Sequence, residues 1–315
     1  MSHARREFTP TTVCRARRAR PRTSIVNVAE VSGTGSRVVL TGGARGIGHA
    51  AALQLAARRI PLVLAVRDIE RGLAARRSIL QASPDASVDL LPLDLASLGS
   101  VREFAAIYAD RFDPWSALVL NAGAILVPHR EMTQDGFEMH LGVNHLGHFA
   151  LTGLMLPLAA PNARVVTASS IAARMGRIQF HDLRWDHGYT PFRAYAASKR
   201  AGLVFARALH RKSLDERLGI RSIATHPGYA VSSERLRSAR RLYERGFAHD
   251  YAAGAGPIVR AVTDPDLLGG EYLAPSGRFQ TRGAPEPISV PSFADDALLS
   301  ARLWRISGQL TRIAW

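Results

Sequence analysis

"VVLTGGARGIGHA" (Val38–Ala50) is the stretch on which the fold of this 315-residue chain turns. A short β-branched run ends at Thr41. Glycines then stand at 42, 43, 46 and 48, and a helix-forming stretch follows. Gly42, Gly46 and Gly48 spell T-G-x-x-x-G-x-G. Glycine permits tight turning and close backbone approach, and a helix N-terminus favours an anion. Alone, such a pattern is weak. Placed between a strand and a helix, it reads as a phosphate-binding loop.

The rhythm continues outward from this loop. Apolar runs at 37–41, 61–66, 88–93, 117–121, 163–169 and 220–226 alternate with helical stretches at 46–59, 69–82, 100–112, 136–156 and 193–215. Strands that are apolar throughout, separated by helices, predict a parallel sheet covered on both faces. The expected fold is therefore α/β: a single doubly wound Rossmann domain over 36–315, with ligands at the carboxyl ends of its strands. "EYLAP" (271–275) reads as an edge strand. Residues 293–313 read as a final helix, with Leu299, Leu303, Ile306, Leu310 and Ile313 on one stripe.

Bulk properties exclude several classes. The formal charge is +15, but the arginines are scattered among acidic residues without aromatic interleaving, so no specific nucleic-acid binding is expected. The single cysteine, Cys14, excludes an intrachain disulfide and a cysteine metal site, and fits a cytoplasmic setting. No apolar run reaches the roughly 18 residues of a membrane span. Residues 1–35 carry arginine runs without hydrophobic periodicity and are expected to be a disordered extension.

Two charge arguments concern chemistry. The second strand ends "LAVRD": an acidic residue there would suit the free ribose hydroxyl of NAD, whereas arginine suits a 2′-phosphate. Arg67, with Arg45 in the glycine loop, therefore favours NADP(H); Asp68 leaves NAD(H) open. Tyr195 and Lys199 lie four apart and share a helix face. A nearby ammonium stabilises a phenolate and lowers the tyrosine pKa, which would let Tyr195 exchange a proton with a carbonyl or alcohol oxygen. Lys199 is one of only two lysines among 41 basic residues.

"TGGARGIG" (41–48), "NAG" (121–123), "YAASK" (195–199) and "HPG" (226–228), in this order, resemble the short-chain dehydrogenase/reductases. "DGFEMHLGVNHLGHFALT" (135–152) and "GGEYLAPSGRFQTRGAPE" (269–286) resemble the retinol-dehydrogenase-like and protochlorophyllide-reductase-like branch. The resemblance covers about residues 37–315. It implies that Tyr195 is the proton donor or acceptor and that Lys199 holds the nicotinamide ribose and lowers the tyrosine pKa. Ser170 would hydrogen-bond the substrate oxygen, with Ser169 as its rival. Asn144 would hold a water of a proton relay. Gly42, Arg45, Gly46, Ile47, Gly48, Arg67, Asp94, Leu95, Asn121, Ala122, Gly123, Pro227 and Gly228 would line the cofactor. Ser232 stands where relatives carry threonine, which keeps a hydroxyl for the nicotinamide amide. A substrate lid is expected over about 229–250, with Leu236, Leu242 and Tyr243 as pocket candidates.

The remaining features are ambiguous. His145-x-x-His148 has ligand spacing but no acidic or cysteine partner, so no metal is expected; His140, His145 and His148 read as surface and interface histidines. Trp185, His187, Tyr189 and Phe192 suit either an apolar substrate wall or a packed loop. The function that results is an NADP(H)-dependent oxidoreductase acting on a carbonyl or alcohol of an apolar small molecule, as a monomer or homodimer. The alternative is a non-catalytic dinucleotide-binding or scaffold protein of the same fold.

Overall fold

The computed structural model describes residues 37–232 and 247–315. The expected N-terminal extension, Cys14, and Leu236, Leu242 and Tyr243 of the expected lid lie outside the described residues. Six strands carry the core: β1 (Arg37–Thr41), β2 (Leu62–Val66), β3 (Val88–Pro92), β4 (Trp115–Leu120), β5 (Ala159–Ala168) and β6 (Arg221–Thr225). After a short parallel pair, β7 (Ala230–Val231) and β8 (His249–Asp250), come β9 (Tyr272–Pro275) and β10 (Pro285–Pro287). The main sheet runs β3-β2-β1-β4-β5-β6-β9-β10. Every pairing is parallel except β9 with β10. The order reverses between β1 and β4, the switch point at which such sheets open a crevice.

The strands are apolar on both faces because both are covered. Val39, Val63, Leu118 and Val165 face one core with Phe104, Phe149 and Phe205 from α3 (Leu98–Arg111), α5 (Gly147–Met155) and α6 (Pro191–Asp215). Their neighbours Val38, Leu40, Leu62 and Val119 face the other. There they meet Leu55, Ile79 and Ile258 from α1 (Gly46–Ala56), α2 (Ile69–Ala82) and α7 (Gly256–Thr263). The successive residues thus alternate sides, and no polar face remains to give an alternating pattern.

Three expectations change. "EYLAP" is not an edge strand: β9 lies between β6 and the antiparallel β10. The prolines that flank β10 suit the outermost position, where a missing N–H goes unnoticed. The long helix expected over 136–156 begins as α4 (Met139–Leu141), widens into a π-helical turn at Gly142–Leu146 and resumes as α5. Side chains at 142 and 147 would strike Thr133 and the Leu95 carbonyl, so glycines let the widened turn press against those loops. The last helix, α8 (Ala297–Thr311), buries only Leu303 of the expected stripe, with Leu299 partly buried beside it and Leu310 exposed, and adds Ser300, Ser307 and Thr311 to its inward face. Its inward hydroxyls have partners: Ser300 accepts from Arg211 and Ser307 bonds His145. Among the described residues no helix is long and apolar enough to cross a membrane.

The amino end of β1 is held by a buried ion pair, with Arg37 Nη1 3.1 Å from Asp89 Oδ2 and side chains 0% and 5% exposed. Removing one partner strands the other charge in the core. Asp89→Ala is expected to cost about 3–5 kcal/mol in urea denaturation, whereas Arg37→Met with Asp89→Leu should recover most of that loss.

Candidate active site

The site is assembled where β1 meets β4. The Thr41 hydroxyl accepts from the N–H groups of Asn121 and Ala122, at 2.9 and 3.0 Å, and its single proton is shared between two acceptors at 3.1 Å, Val119 O and His148 Nε2. Asn121 returns the contact: its Nδ2 donates to Thr41 O at 3.0 Å and reaches Gly42 O at 3.5 Å. Two glycines make this crossing possible. Gly42 has φ +71°, and a Cβ there would sit 2.9 Å from Ala122 Cα. A Cβ at Gly48 would sit 2.3 Å from Gly42 O. Gly46 differs: a Cβ there would meet nothing nearer than Tyr251 at 3.9 Å, so space stays open over the loop. Helix α1 starts beside that space without a side-chain cap and without an acidic residue in its first turn. Ile47 is packed beneath, against the core. The cradle fits the phosphates of a dinucleotide.

Arg45 and Arg67 are exposed and make no ion pair or side-chain hydrogen bond among the described residues. Asp68, which left NAD(H) open, is occupied: it caps α2 through Arg71 N and pairs with Arg71 Nε at 3.0 Å. Asp94 and Leu95 follow β3, with Asp94 Oδ1 accepting from Ala96 N and Leu95 buried beneath Gly147.

The π-helical turn delivers Asn144. Its Oδ1 accepts from Ala124 N at 2.7 Å, and its Nδ2 donates to Ala124 O at 3.0 Å and to Ser198 Oγ at 2.9 Å. Ser198 in turn donates to Tyr195 O. A Cβ at Gly123 would stand 3.0 Å from Asn144 Oδ1 and 3.7 Å from Lys199 Nζ, so glycine leaves room between amide and ammonium. Lys199 is 8% exposed and donates to Ala168 O at 2.9 Å. Burial lowers its pKa to about 8. Nζ lies 5.9 Å from the Tyr195 ring centroid.

Tyr195 departs from the expectation. Burial raises its pKa above the usual phenol value, while a hydrogen bond with Ser170 opposes the rise. The ammonium does not outweigh desolvation, so the phenol is held protonated in this state. The two serines separate clearly. Ser169 is buried and spends its hydroxyl on Lys199 O at 2.9 Å, whereas Ser170 is half-buried and bonds Tyr195.

The proline–glycine turn is held over the end of β6. Gly228 has φ +73°, and a Cβ there would strike Thr281 O. Gly228 N donates to His226 Nδ1, and His249 Nε2 donates to Pro227 O at 2.6 Å. Ser232 is half-buried just beyond β7.

The histidines of the "MHLGVNHLGHF" stretch are a correction: His140, His145 and His148 are 0%, 2% and 3% exposed, not surface residues. The widened helix is buried around most of its circumference, which the sequence spacing does not reveal. His148 was missed as a contributor to the site. Its Nδ1 donates to Asn144 O at 3.3 Å, which assigns the proton to that nitrogen and leaves Nε2 as an acceptor 3.1 Å from the Thr41 hydroxyl, in competition with Val119 O. Trp185 packs with Ala194 and Ala197, and Phe192 is exposed.

A family model for short chain dehydrogenases matches residues 36–241. The chain belongs to the short-chain dehydrogenase family. That family is one of oxidoreductases, and the fold, the tyrosine–lysine helix and the glycine loop belong together in it. Mouse retinol dehydrogenase 12 is 36% identical over 292 residues, 89% of this chain and 88% of that protein. A crystal structure of an uncharacterised protein from Mycobacterium paratuberculosis is 37% identical with a TM-score of 0.75, covering 89% of this chain and 94% of that one. A blue fluorescent protein from a metagenomic library, solved with NADPH, shares the fold at 23% identity and a TM-score of 0.58, over 74% and 92% of the two chains.

Burial lowers His145 and His148 from 6.5 to about 3, and His226 to about 4. Between those values and 6.5 the unfolded chain binds protons that the folded dehydrogenase refuses, so stability rises with pH. The unfolding free energy should be fullest above about pH 6.5 and fall by about 1.4 kcal/mol per pH unit for each ring down to about pH 4. Urea midpoints across this window check the slope, and His148→Gln should remove one ring's share of it.

Proposed function

We propose that the protein is an NADP(H)-dependent oxidoreductase that interconverts a carbonyl and an alcohol on an apolar small molecule, with Tyr195 moving the proton. The observation that carries this is the pairing of a half-buried, protonated Tyr195 with Ser170, one helical turn from the buried ammonium of Lys199. When bound, the dinucleotide supplies or accepts the hydride. Gly42, Gly46, Ile47 and Gly48 would hold its phosphates, and Asn121, Ala122, Gly123, Pro227, Gly228 and Ser232 its nicotinamide end. Asp94 and Leu95 would border the adenine.

The rest is the work of this chain's own residues. Ser170 Oγ and Tyr195 Oη offer two hydroxyls to one substrate oxygen. In reduction, Tyr195 Oη gives its proton as negative charge develops there, and a donor held in place acts with little reorganisation. The phenolate that remains is stabilised by Ser170 and by the Lys199 charge. Lys199 uses one of its three N–H donors on Ala168 O, which leaves two for a ribose or for a proton path. The gap at Gly123 between Lys199 Nζ and Asn144 Oδ1 suits the expected relay water.

The preference for the phosphorylated cofactor rests on Arg45 and Arg67 being uncommitted while Asp68 is occupied. Family membership supports an alcohol or carbonyl substrate, and the name of the retinol dehydrogenase relative favours an apolar one. The cytoplasmic setting, drawn from the single cysteine, belongs to this proposal as well.

Tyr195→Phe should lower turnover about 100- to 10,000-fold, the usual worth of a positioned proton donor. NADPH binding, followed by protein fluorescence, should persist; retained turnover would end the mechanism. Arg67→Asp replaces a charge-assisted partner with repulsion and should weaken NADPH about tenfold or more relative to NADH. Paired titrations with the two cofactors read this directly.

A further inference from the structure

Just past Gly123, the chain crosses from Ala124 to Val127 in a short span whose two ends are both clamped by side chains. At one end, Asn144 takes both peptide groups of Ala124: its Oδ1 accepts from the N–H and its Nδ2 donates to the carbonyl. At the other end, Val127 is held in the same way by two different residues. Its N–H donates to His140 Nε2 at 3.1 Å, and its carbonyl accepts from Tyr189 Oη at 2.7 Å. His140 is fixed from behind. Nε2 is an acceptor, so Nδ1 carries the proton and donates to Glu138 Oε1 at 2.6 Å. Glu138 also accepts from His140 N and Leu141 N, and both side chains are fully buried. Tyr189 lies against the His140 ring, and Tyr195 meets that ring edge-on with centroids 6.1 Å apart.

Between the clamps stand Ile125 and Leu126, which are 68% and 48% exposed. Leu126 has φ +48°, a region where a glycine or asparagine would sit with less strain. Two large apolar side chains that return little burial, one of them strained, on a backbone pinned on both sides, make a poor structural choice. Strain held in this way is characteristic of functional sites. The span also starts at the amide of Asn144 and is held beside Tyr195.

We infer that Ile125 and Leu126 are the apolar wall met by the body of the substrate, and that His140, Glu138 and Tyr189 position it. The inference rests on the oxidoreductase reading above and gives its substrate a class: a carbonyl or alcohol carrying an extended hydrocarbon body. A rigid wall charges no ordering entropy when the substrate arrives, so the clamp acts on substrate affinity rather than on proton transfer. Tyr189, His140 and Glu138 are positioning residues, with no contact to the reacting atoms.

The test compares propanal and decanal as substrates with NADPH, in full-length protein and in Leu126→Gly, Ile125→Ser and Tyr189→Phe. Leu126→Gly removes the side chain at a backbone conformation that glycine adopts without strain, and Ile125→Ser removes the neighbouring apolar side chain without adding glycine's freedom. Each of the first two should lower the decanal-to-propanal ratio of kcat/KM about tenfold or more, the usual worth of lost hydrocarbon contact in a pocket. Tyr189→Phe, which removes one hydrogen bond at Val127, should raise KM for decanal while kcat falls less than twofold. The NADPH dissociation constant should stay within about twofold throughout. A ratio unchanged in Leu126→Gly and Ile125→Ser overturns the wall. A Tyr189→Phe effect equal on both aldehydes overturns the clamp, and lost NADPH binding would assign the span to the cofactor instead. If the parent protein turns over neither aldehyde, nor the matching alcohols with NADP, the oxidoreductase reading fails first and this inference with it.

Discussion

One hydroxyl sets the geometry on which the site depends. Thr41 ends β1 and gathers the first two peptide N–H groups after β4. Those groups would otherwise be orphans at a point where two parallel strands stop pairing and diverge. Asn121 reciprocates through the carbonyls of Thr41 and Gly42. This mutual tie brings the glycine loop and the Asn121–Gly123 turn into contact, and it explains why positions 42 and 48 exclude a side chain. His148 extends the tie from Thr41 to the Asn144 carbonyl. The half of the molecule that would hold phosphates is thereby joined, through buried hydrogen bonds, to the half that carries Asn144, Ser198 and Tyr195. Such a network is costly if any member lacks a partner, so its members rise or fall together.

The fold was largely legible because its strongest signals are local. Apolar runs on both sheet faces and a glycine turn after β1 leave direct marks in composition. What escaped depends on partners distant in the chain. The π-helical turn at Gly142–Leu146 keeps helical spacing, and only contact with Thr133 and Leu95 shows why it widens. In α8 an inward serine stripe looks like a surface face until His145 and Arg211 supply its bonds. The histidines were misplaced for the same reason: a polar ring can be buried wherever it finds partners, and sequence spacing does not show them. Among candidate site residues, the choice between Ser169 and Ser170 turned on one hydrogen bond to Lys199 O, which no motif encodes.

Electrostatics adds a point that the pairing of Tyr195 with Lys199 did not foretell. Both groups are withdrawn from water, and desolvation acts on each in the direction of its neutral form. It raises the phenol and lowers the ammonium. The protein without its dinucleotide therefore holds a proton on Tyr195 and a lysine whose pKa is about 8. Free side chains of the two kinds titrate close together, but here burial reverses their order and makes the Lys199 ammonium the more acidic of the two, so Lys199 releases a proton more readily than Tyr195 does.

The lowered ammonium also explains a lysine in a chain that otherwise uses arginine. Of 41 basic residues only Lys199 and Lys212 are lysine, and both lie on α6. Lys212 reaches Glu216 at 2.5 Å and lies over the Trp304 ring at 5.6 Å, a surface role that a guanidinium could fill as well. Lys199 has no such substitute. A guanidinium remains charged at any pH a protein meets and presents a planar fork. At 8% exposure, bonded to Ala168 O and facing the gap at Gly123, the position requires a compact head whose pKa burial can bring to about 8. Arginine would keep the positive charge there and lose the ability to share in moving the proton.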